Sequence, residues 1–219
     1  MRKAIFNIVY DLLPCFKACH ESVERYAKRI GADLVWRQSF TNTRKVSPVN
    51  HLNYQILAER ESISDLLSVY DKVLAVDGDV LIKNDSPDIF DCHEQGTTYL
   101  LDETINGIDY DKQIGGVKGS VEWPVSHNGH DLFYNCGVIL ADKAQAELFK
   151  VIPEEFVYFK DLSLISCEPY YTKRILKHGF NVKPLEQTWN AMIYFKQDGH
   201  FLHFANVQDR DIIINEYIK

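Results

Sequence analysis

The period of hydrophobic and polar positions changes along the chain, and the changes mark its elements. Residues 3–10, Lys-Ala-Ile-Phe-Asn-Ile-Val-Tyr, are rich in β-branched and aromatic side chains and predict an opening strand. Over 15–30, Phe16, Cys19, Val23, Tyr26, Ala27 and Ile30 recur at helical spacing, with Gly31 as a stop. Residues 33–37 predict a second strand. A strand–helix–strand start favours an α/β fold, with a mostly parallel central sheet and helices on both faces. Residues 52–69 read as helix in two pieces and lead into the apolar run 73–76. That run ends in Asp77-Gly78-Asp79, and a second apolar run, 80–82, follows at once.

Further on, residues 97–102 predict a strand ending in an acid. Residues 103–130 hold Gly107, Gly115, Gly116, Gly119 and Gly129 with little apolar period. A loop of that length inside a compact domain is usually a lid or a binding loop. Residues 132–140 predict a strand with Asn135-Cys136-Gly137 in its middle. Helices are expected over 141–152 and 168–178, and short strands over 180–185 and 201–204. No repeat or linker interrupts the 219 residues, so one domain over 1–219 is expected.

Composition narrows the function. The chain is 46% hydrophobic and 25% charged, an ordinary globular balance, with a net charge of −7. No basic stripe exists to displace the counterions of a nucleic acid, so nucleic acid is not the expected partner. An acidic protein that takes an anionic nucleotide needs a metal or a few placed cations between them. The cysteines, Cys15, Cys19, Cys92, Cys136 and Cys167, are odd in number and form no Cys-x-x-Cys pair. They indicate reduced thiols in a cytoplasmic or cytosol-facing protein, not a disulfide framework or a zinc ribbon. Asn7 and Asp11 break the apolar stretch after Met1-Arg2-Lys3, so a first strand is expected there and not a signal peptide. No apolar run approaches transmembrane length.

The chemistry centres on Asp77 and Asp79. Two carboxylates two residues apart reach one cation if the backbone turns sharply between them, and Gly78 permits that turn. A hard, oxygen-ligated Mn²⁺ or Mg²⁺ carrying a diphosphate is the expected ligand. The plainer reading is a solvated turn, since Asp-Gly is a common hairpin signal. A phosphatase of the haloacid-dehalogenase type also places an Asp-x-Asp after an apolar strand. It needs a later lysine and a downstream acid pair, and this chain has neither Asp-Asp nor Gly-Asp-x-x-x-Asp after that corner. A non-catalytic nucleotide-sugar-binding module is a third possibility. No glycine-rich phosphate loop follows the first strand, which argues against a nucleotidyltransferase.

Residues 60–82, Arg-Glu-Ser-Ile-Ser-Asp-Leu-Leu-Ser-Val-Tyr-Asp-Lys-Val-Leu-Ala-Val-Asp-Gly-Asp-Val-Leu-Ile, resemble the core signature of GT-A glycosyltransferases. They are most similar to glycosyltransferase family 8, the glycogenin and bacterial lipooligosaccharide galactosyltransferase type. The resemblance extends in order through Tyr99-Leu-Leu-Asp102, residues 134–140, Trp189-Asn190 and Leu202-His-Phe204. It implies a Rossmann-like GT-A fold and metal-dependent transfer of a hexose from a nucleotide sugar. The donor would be UDP-glucose or UDP-galactose, the acceptor a glycan or protein-linked sugar, and the outcome retention of anomeric configuration.

Carried over residue by residue, the resemblance makes Asp77, Asp79 and His203 the metal ligands. By residue chemistry alone, His203 within Phe201-Leu-His-Phe204 is equally well a core histidine. Arg60 would hold the acidic corner or the donor phosphate, where an exposed helix arginine is the alternative. Asp102, Asn135 and Glu168 would position sugar and acceptor, with Gly137 lining the donor site beside Gly78. Tyr10 and Asp11 lie where such folds hold the nucleobase, Tyr10 stacking on the base or simply ending the strand. Two departures stand out. Pro169 follows Glu168 where the family carries Asp-Gln, so Glu168 also reads as a helix-capping acid. After His-Phe the family continues with glycine and Lys-Pro-Trp. Here Ala205-Asn-Val-Gln-Asp-Arg210 follows, with Arg210 as an out-of-register substitute for the lysine.

Overall fold

The structure, a computed structural model, describes residues 1–9, 14–39, 52–106, 133–152, 155, 167–205, 207 and 210–218. Its strands are β1 (Lys3–Ile8), β2 (Asp33–Arg37), β3 (Lys72–Asp77), β4 (Val80–Ile82), β5 (Thr98–Asp102), β6 (Tyr134–Asp142), β7 (Val182–Pro184), β8 (Ala191–Met192) and β9 (Phe201–His203). The α-helices are α1 (Pro14–Ile30), α2 (Leu52–Glu59), α3 (Ser62–Leu67), α4 (Cys167–His178) and α5 (Arg210–Ile218).

Among the described residues, the main sheet runs β2-β1-β3-β6-β5-β7. The pairings β1–β2, β1–β3 and β5–β7 are parallel, and β6 lies antiparallel to both its neighbours. Side-chain alternation splits the strands cleanly between two apolar layers. Phe6, Ile8, Val73, Ala75, Ile139 and Ala141 face a core completed by Leu57 of α2, Ile63 and Leu67 of α3, and Tyr171 of α4. Ile5, Leu74, Val76, Val138 and Leu140 face the other way, toward Val23, Tyr26 and Ala27 of α1. A sheet covered on both faces needs strands apolar at nearly every position, as β3 and β6 are.

The helix expected over 141–152 is not formed. Strand β6 runs on through Ala141 and Asp142, and a 3-10 segment, Lys143–Phe149, follows it. Ala141 is fully buried in the sheet core, so tertiary packing overrides its helix propensity. The Asp142 carboxylate then accepts from the Ala144 amide at 2.9 Å and starts the 3-10 turn.

A second sheet, β4-β9-β8, was not anticipated and positions the site. Strand β4 leaves the main sheet just after Asp79. It pairs antiparallel with β9, which sets Val80 opposite His203. Phe201, Leu202 and Phe204 are fully buried and anchor β9. Cys15, Cys19, Leu202 and Phe204 share a third apolar cluster with Ile214, which seats α5 against α1. No helix among the described residues is long and apolar enough to cross a membrane.

Candidate metal and donor site

The site forms where β3 runs out. Asp77 closes that strand opposite Ile8, and Asp79 opens the turn into β4. Gly78 serves this corner differently from the reading above. Its φ lies outside the left-handed region, and a Cβ there would sit 3.0 Å from the Ile8 carbonyl oxygen. The glycine therefore allows close backbone approach, not an otherwise forbidden turn. The Asp79 carbonyl accepts from the Phe204 amide at 3.0 Å, so the segment bearing His203 is tied to the acidic corner by backbone as well.

Asp77, Asp79 and His203 each place one ligand atom within 4.8 Å of the others. His203 Nε2 lies 3.4 Å from Asp79 Oδ1, and Arg210 at the start of α5 lies 3.4 Å from Asp79 Oδ2. Two carboxylates and one imidazole fit a divalent cation. A nitrogen donor in such a set suits Mn²⁺ better than Mg²⁺, which prefers oxygen throughout.

Arg60 is buried, not an exposed helix residue. It lies in the turn between α2 and α3 and is 1% exposed. One guanidinium nitrogen donates to Asp77 Oδ1 at 2.6 Å, another to the Cys136 carbonyl at 2.5 Å. These contacts hold the acidic corner from behind.

Charge and burial oppose one another here. Burial raises the Asp77 pKa, and neighbouring Asp79 adds to the rise against the Arg60 charge. Burial also works against the Asp79 carboxylate, but His203 and then Arg210 outweigh it and lower the pKa. Burial works against the His203 imidazolium, yet Asp79 prevails and raises that pKa.

The signs fix a pH dependence for the protein without a cation. The stabilisation from His203 is complete below the ordinary imidazole value of about 6.5 and is lost as pH rises through the raised one. That from Asp79 is complete above the ordinary carboxylate value and is lost as pH falls through the lowered one. Asp77, with its raised pKa, likewise favours the folded state toward acid. In EDTA, melting temperature should therefore decline as pH rises from about 6.5, the ordinary imidazole value. Mn²⁺ affinity should climb over the same interval as the imidazole gives up its proton. A melting temperature flat across that interval in EDTA would show that His203 and Asp79 are not coupled.

Behind His203 lies a buried polar chain. His203 Nδ1 is 2.9 Å from Asn190 Oδ1, and Asn190 Nδ2 donates to Asn135 Oδ1 at 2.8 Å. Asn135 Oδ1 also accepts from the Gly137 amide at 2.8 Å, and Asn135 Nδ2 donates to Glu103 Oε1 at 2.5 Å. Gly137 is required sterically. A Cβ there would fall 2.1 Å from Cε1 of His203, 2.7 Å from Nδ1 and 2.8 Å from Nε2. The ring is 3% exposed and bonded at Nδ1, so it cannot swing away freely. Gly137→Ala should cost about 1–3 kcal/mol as overpacking. It should weaken Mn²⁺ binding by much more than a change of that size elsewhere in β6. Denaturant melts and Mn²⁺ titrations of the variant check both, and unchanged metal affinity would show that the ring position does not matter.

Other expected residues sit differently. Asp102 Oδ1 accepts from the Thr104 amide at 3.1 Å and the Thr104 hydroxyl at 2.7 Å, which places that oxygen in a local turn. The next residue, Glu103, is the acid that reaches Asn135. Glu168 is the second residue of α4, and its Oε2 is buried without a hydrogen-bond partner. Burial, with the nearby Cys167 and Glu103, pushes its pKa well above the usual carboxylate range. Its carboxyl, with the Cys136 and Cys167 thiols, forms a second tight group of donors near Arg60. Tyr10, Asp11 and the part of the expected loop beyond Asn106 lie outside the described residues.

Glu103 and Asn190 went unassigned by the sequence reading. Glu103 was masked by Asp102, which ends the strand. Asn190 falls within the quoted Trp189-Asn190 pair, but its partner His203 is remote in sequence.

The architecture is a GT-A glycosyltransferase fold. A glycosyltransferase involved in glycosylation of the major capsid of PBCV-1 superposes with a TM-score of 0.62 at 14% identity, over 99% of this chain and all of that one. Mouse xyloside xylosyltransferase 1 gives 0.54 at 13% identity, over 94% and 98% of the two chains. The galactosyltransferase LgtC, solved with donor and acceptor sugar analogues, gives 0.52 at 13%, over 98% and 94%. No family model matches the sequence, and no curated protein is significantly similar to it in sequence.

Proposed function

We propose that this chain is a single-domain, metal-dependent glycosyltransferase. It would move a hexose from a UDP-sugar, UDP-glucose or UDP-galactose, to a hydroxyl of a glycan or protein-linked acceptor. The observation that carries the reading is the convergence of Asp77, Asp79 and His203 at the end of the central strand, with Arg210 beside them. Fold alone does not name an activity, whereas this donor set suits a cation that carries a diphosphate.

Asp77, Asp79 and His203 would hold Mn²⁺, or Mg²⁺. When bound, the ion supplies Lewis-acid stabilisation of the departing diphosphate. Arg60 keeps the Asp77 carboxylate aimed outward. Arg210, whose side chain is 30% exposed, is free to meet a phosphate oxygen and adds fixed positive charge where negative charge develops. Asn135 and Glu103, buried and bonded to one another, would support the sugar-binding part of the site from beneath. Asp102, through its remaining oxygen, would serve the ribose or the sugar. Glu168, whose pKa burial raises well above the usual carboxylate range, would in its protonated form donate a hydrogen bond toward the sugar or the acceptor. Tyr10 and Asp11 would receive the base, and residues 103–130 would supply part of the acceptor site. Retention rests on the family resemblance and is read directly from the anomeric configuration of the product.

The deciding experiment incubates the protein with Mn²⁺ and a panel of UDP-sugars and follows UDP release. One donor should be hydrolysed or transferred, and EDTA should abolish the reaction. Tight donor binding with no turnover against any acceptor would make the chain a binding module instead. Rapid Mg²⁺-dependent cleavage of p-nitrophenyl phosphate, lost in Asp77→Asn, would overturn the transferase reading in favour of a phosphatase.

A further inference from the structure

The polar chain behind His203 has two ends of fixed chemical sense. At one end is the Gly137 backbone N–H, which can only donate. Its acceptor at 2.8 Å is therefore the oxygen of the Asn135 amide. The Asn135 nitrogen then faces Glu103 Oε1, an acceptor, so the second fixed end agrees with the first. Asn135 Oδ1 has another neighbour at 2.8 Å, which must donate and is the nitrogen of Asn190. That leaves Asn190 Oδ1 against His203 Nδ1 at 2.9 Å, where the ring nitrogen must carry a hydrogen. Turning over the Asn190 amide would set its oxygen against Asn135 Oδ1, oxygen against oxygen at 2.8 Å.

Asn190 is itself held firmly. It is fully buried, follows the 3-10 turn Gln187–Trp189, and its amide donates to the Gln187 carbonyl at 3.1 Å. The absent Cβ at Gly137 gives the imidazole one seat beneath it.

We propose that Asn190, backed by Asn135 and the Gly137 amide, is a positioning residue. It holds neutral His203 in the Nδ1–H tautomer, with the Nε2 lone pair presented toward Asp79. The nitrogen ligand is thus oriented before a cation arrives, and the ordering of the ring is supplied by the fold. This rests on the metal reading of the site for its purpose, but the tautomer itself is a property of the protein alone. It also explains why a buried face carries two asparagines in series where apolar side chains would pack more simply.

The test uses protein labelled with ¹⁵N-histidine, with no added metal, at alkaline pH where the ring is neutral. A His203→Gln variant identifies the His203 signals. Long-range ¹H–¹⁵N correlations should show a protonated Nδ1 and an unprotonated Nε2. Mn²⁺ affinity, from the EPR signal of the free ion, should fall about 10–100-fold in Asn190→Ala, as for other lost outer partners of a metal-bound histidine. Asn190→Asp keeps an acceptor at Nδ1 but sets an oxygen against Asn135 Oδ1, so it should keep the tautomer at a cost in stability.

A wild-type Nε2–H tautomer would overturn the proposal whether or not Mn²⁺ binds. So would Asn190→Ala with wild-type affinity and only a lowered melting temperature, the mark of a purely structural residue. If Asn190→Ala does not fold, the wild-type spectrum decides. A wild-type protein with the Nδ1–H tautomer and no affinity for Mn²⁺ would remove the metal reading and leave the tautomer assignment standing.

Discussion

Asp79→Asn should abolish Mn²⁺-dependent binding of the nucleotide sugar while leaving the protein folded. Asp79 stands between two positive groups, His203 and Arg210, each 3.4 Å away, and is the carboxylate whose pKa is lowered below its ordinary value. It is thus ionised and available over the whole neutral range. The amide has the same shape, keeps one oxygen, and loses the charge. A lost outer partner of a metal ligand costs about 10–100-fold in affinity, so the loss of a direct charged ligand should exceed about 100-fold. Stability should change little by comparison, because the side chain keeps an exposed edge and the backbone tie from Phe204 is untouched. Calorimetric titration of the UDP-sugar with and without Mn²⁺ measures the effect. Metal-dependent donor binding that survives Asp79→Asn would remove Asp77, Asp79 and His203 as the ion's site.

Legibility in the sequence followed the length and regularity of each segment. Strands β2 and β4 fall where their apolar runs end, and α1 where its helical spacing predicts. The helical stretch 52–69 divides at Arg60 and Glu61, as a two-piece pattern implies. Strand β9 falls within the short strand expected over 201–204, but β8 is two residues long, too short to show a period. The pairing of β4 with β9 that delivers His203 is a contact between distant segments. Helix α5 escaped notice because Ile212-Ile213-Ile214 is a β-branched run inside a helical span. Asp77-Gly78-Asp79 was visible because its chemistry is local. Arg60 was visible only as a position in a family pattern, because burial against Cys136, seventy-six residues away, is a fact of tertiary structure. The chain from Glu103 through Asn135 and Asn190 to His203 joins four segments. No window of sequence contains it.

Arg60→Met should give the largest loss of stability of any single change at the site. The guanidinium is almost fully enclosed and still has a buried Nε with no hydrogen-bond partner, so its burial is incompletely compensated as it stands. Removing one member of a buried pair typically costs about 3–5 kcal/mol, because the partner is left desolvated and unpaired. Here the Asp77 side chain is 29% exposed, and water can replace part of the contact, which places the expected loss near the lower figure. For a chain of this size that is a fall in melting temperature of roughly 6–12 °C. Asp77 should then titrate still higher, since the charge opposing its burial is gone, and metal binding should weaken at neutral pH. Arg60→Lys should not rescue. One ammonium on a flexible stem cannot span the Asp77 carboxylate and the Cys136 carbonyl as the planar fork does. The double variant Arg60→Met with Asp77→Asn separates the explanations. If the cost is an unpaired buried charge, the second substitution should restore part of the stability lost to the first, and the two effects will be strongly non-additive. Additive urea melts would mean instead that Arg60 acts by packing alone. The pair is then a poor stabiliser whose retention is explained by aim: it keeps the Asp77 carboxylate ionised and pointed at the place where His203 and Asp79 converge.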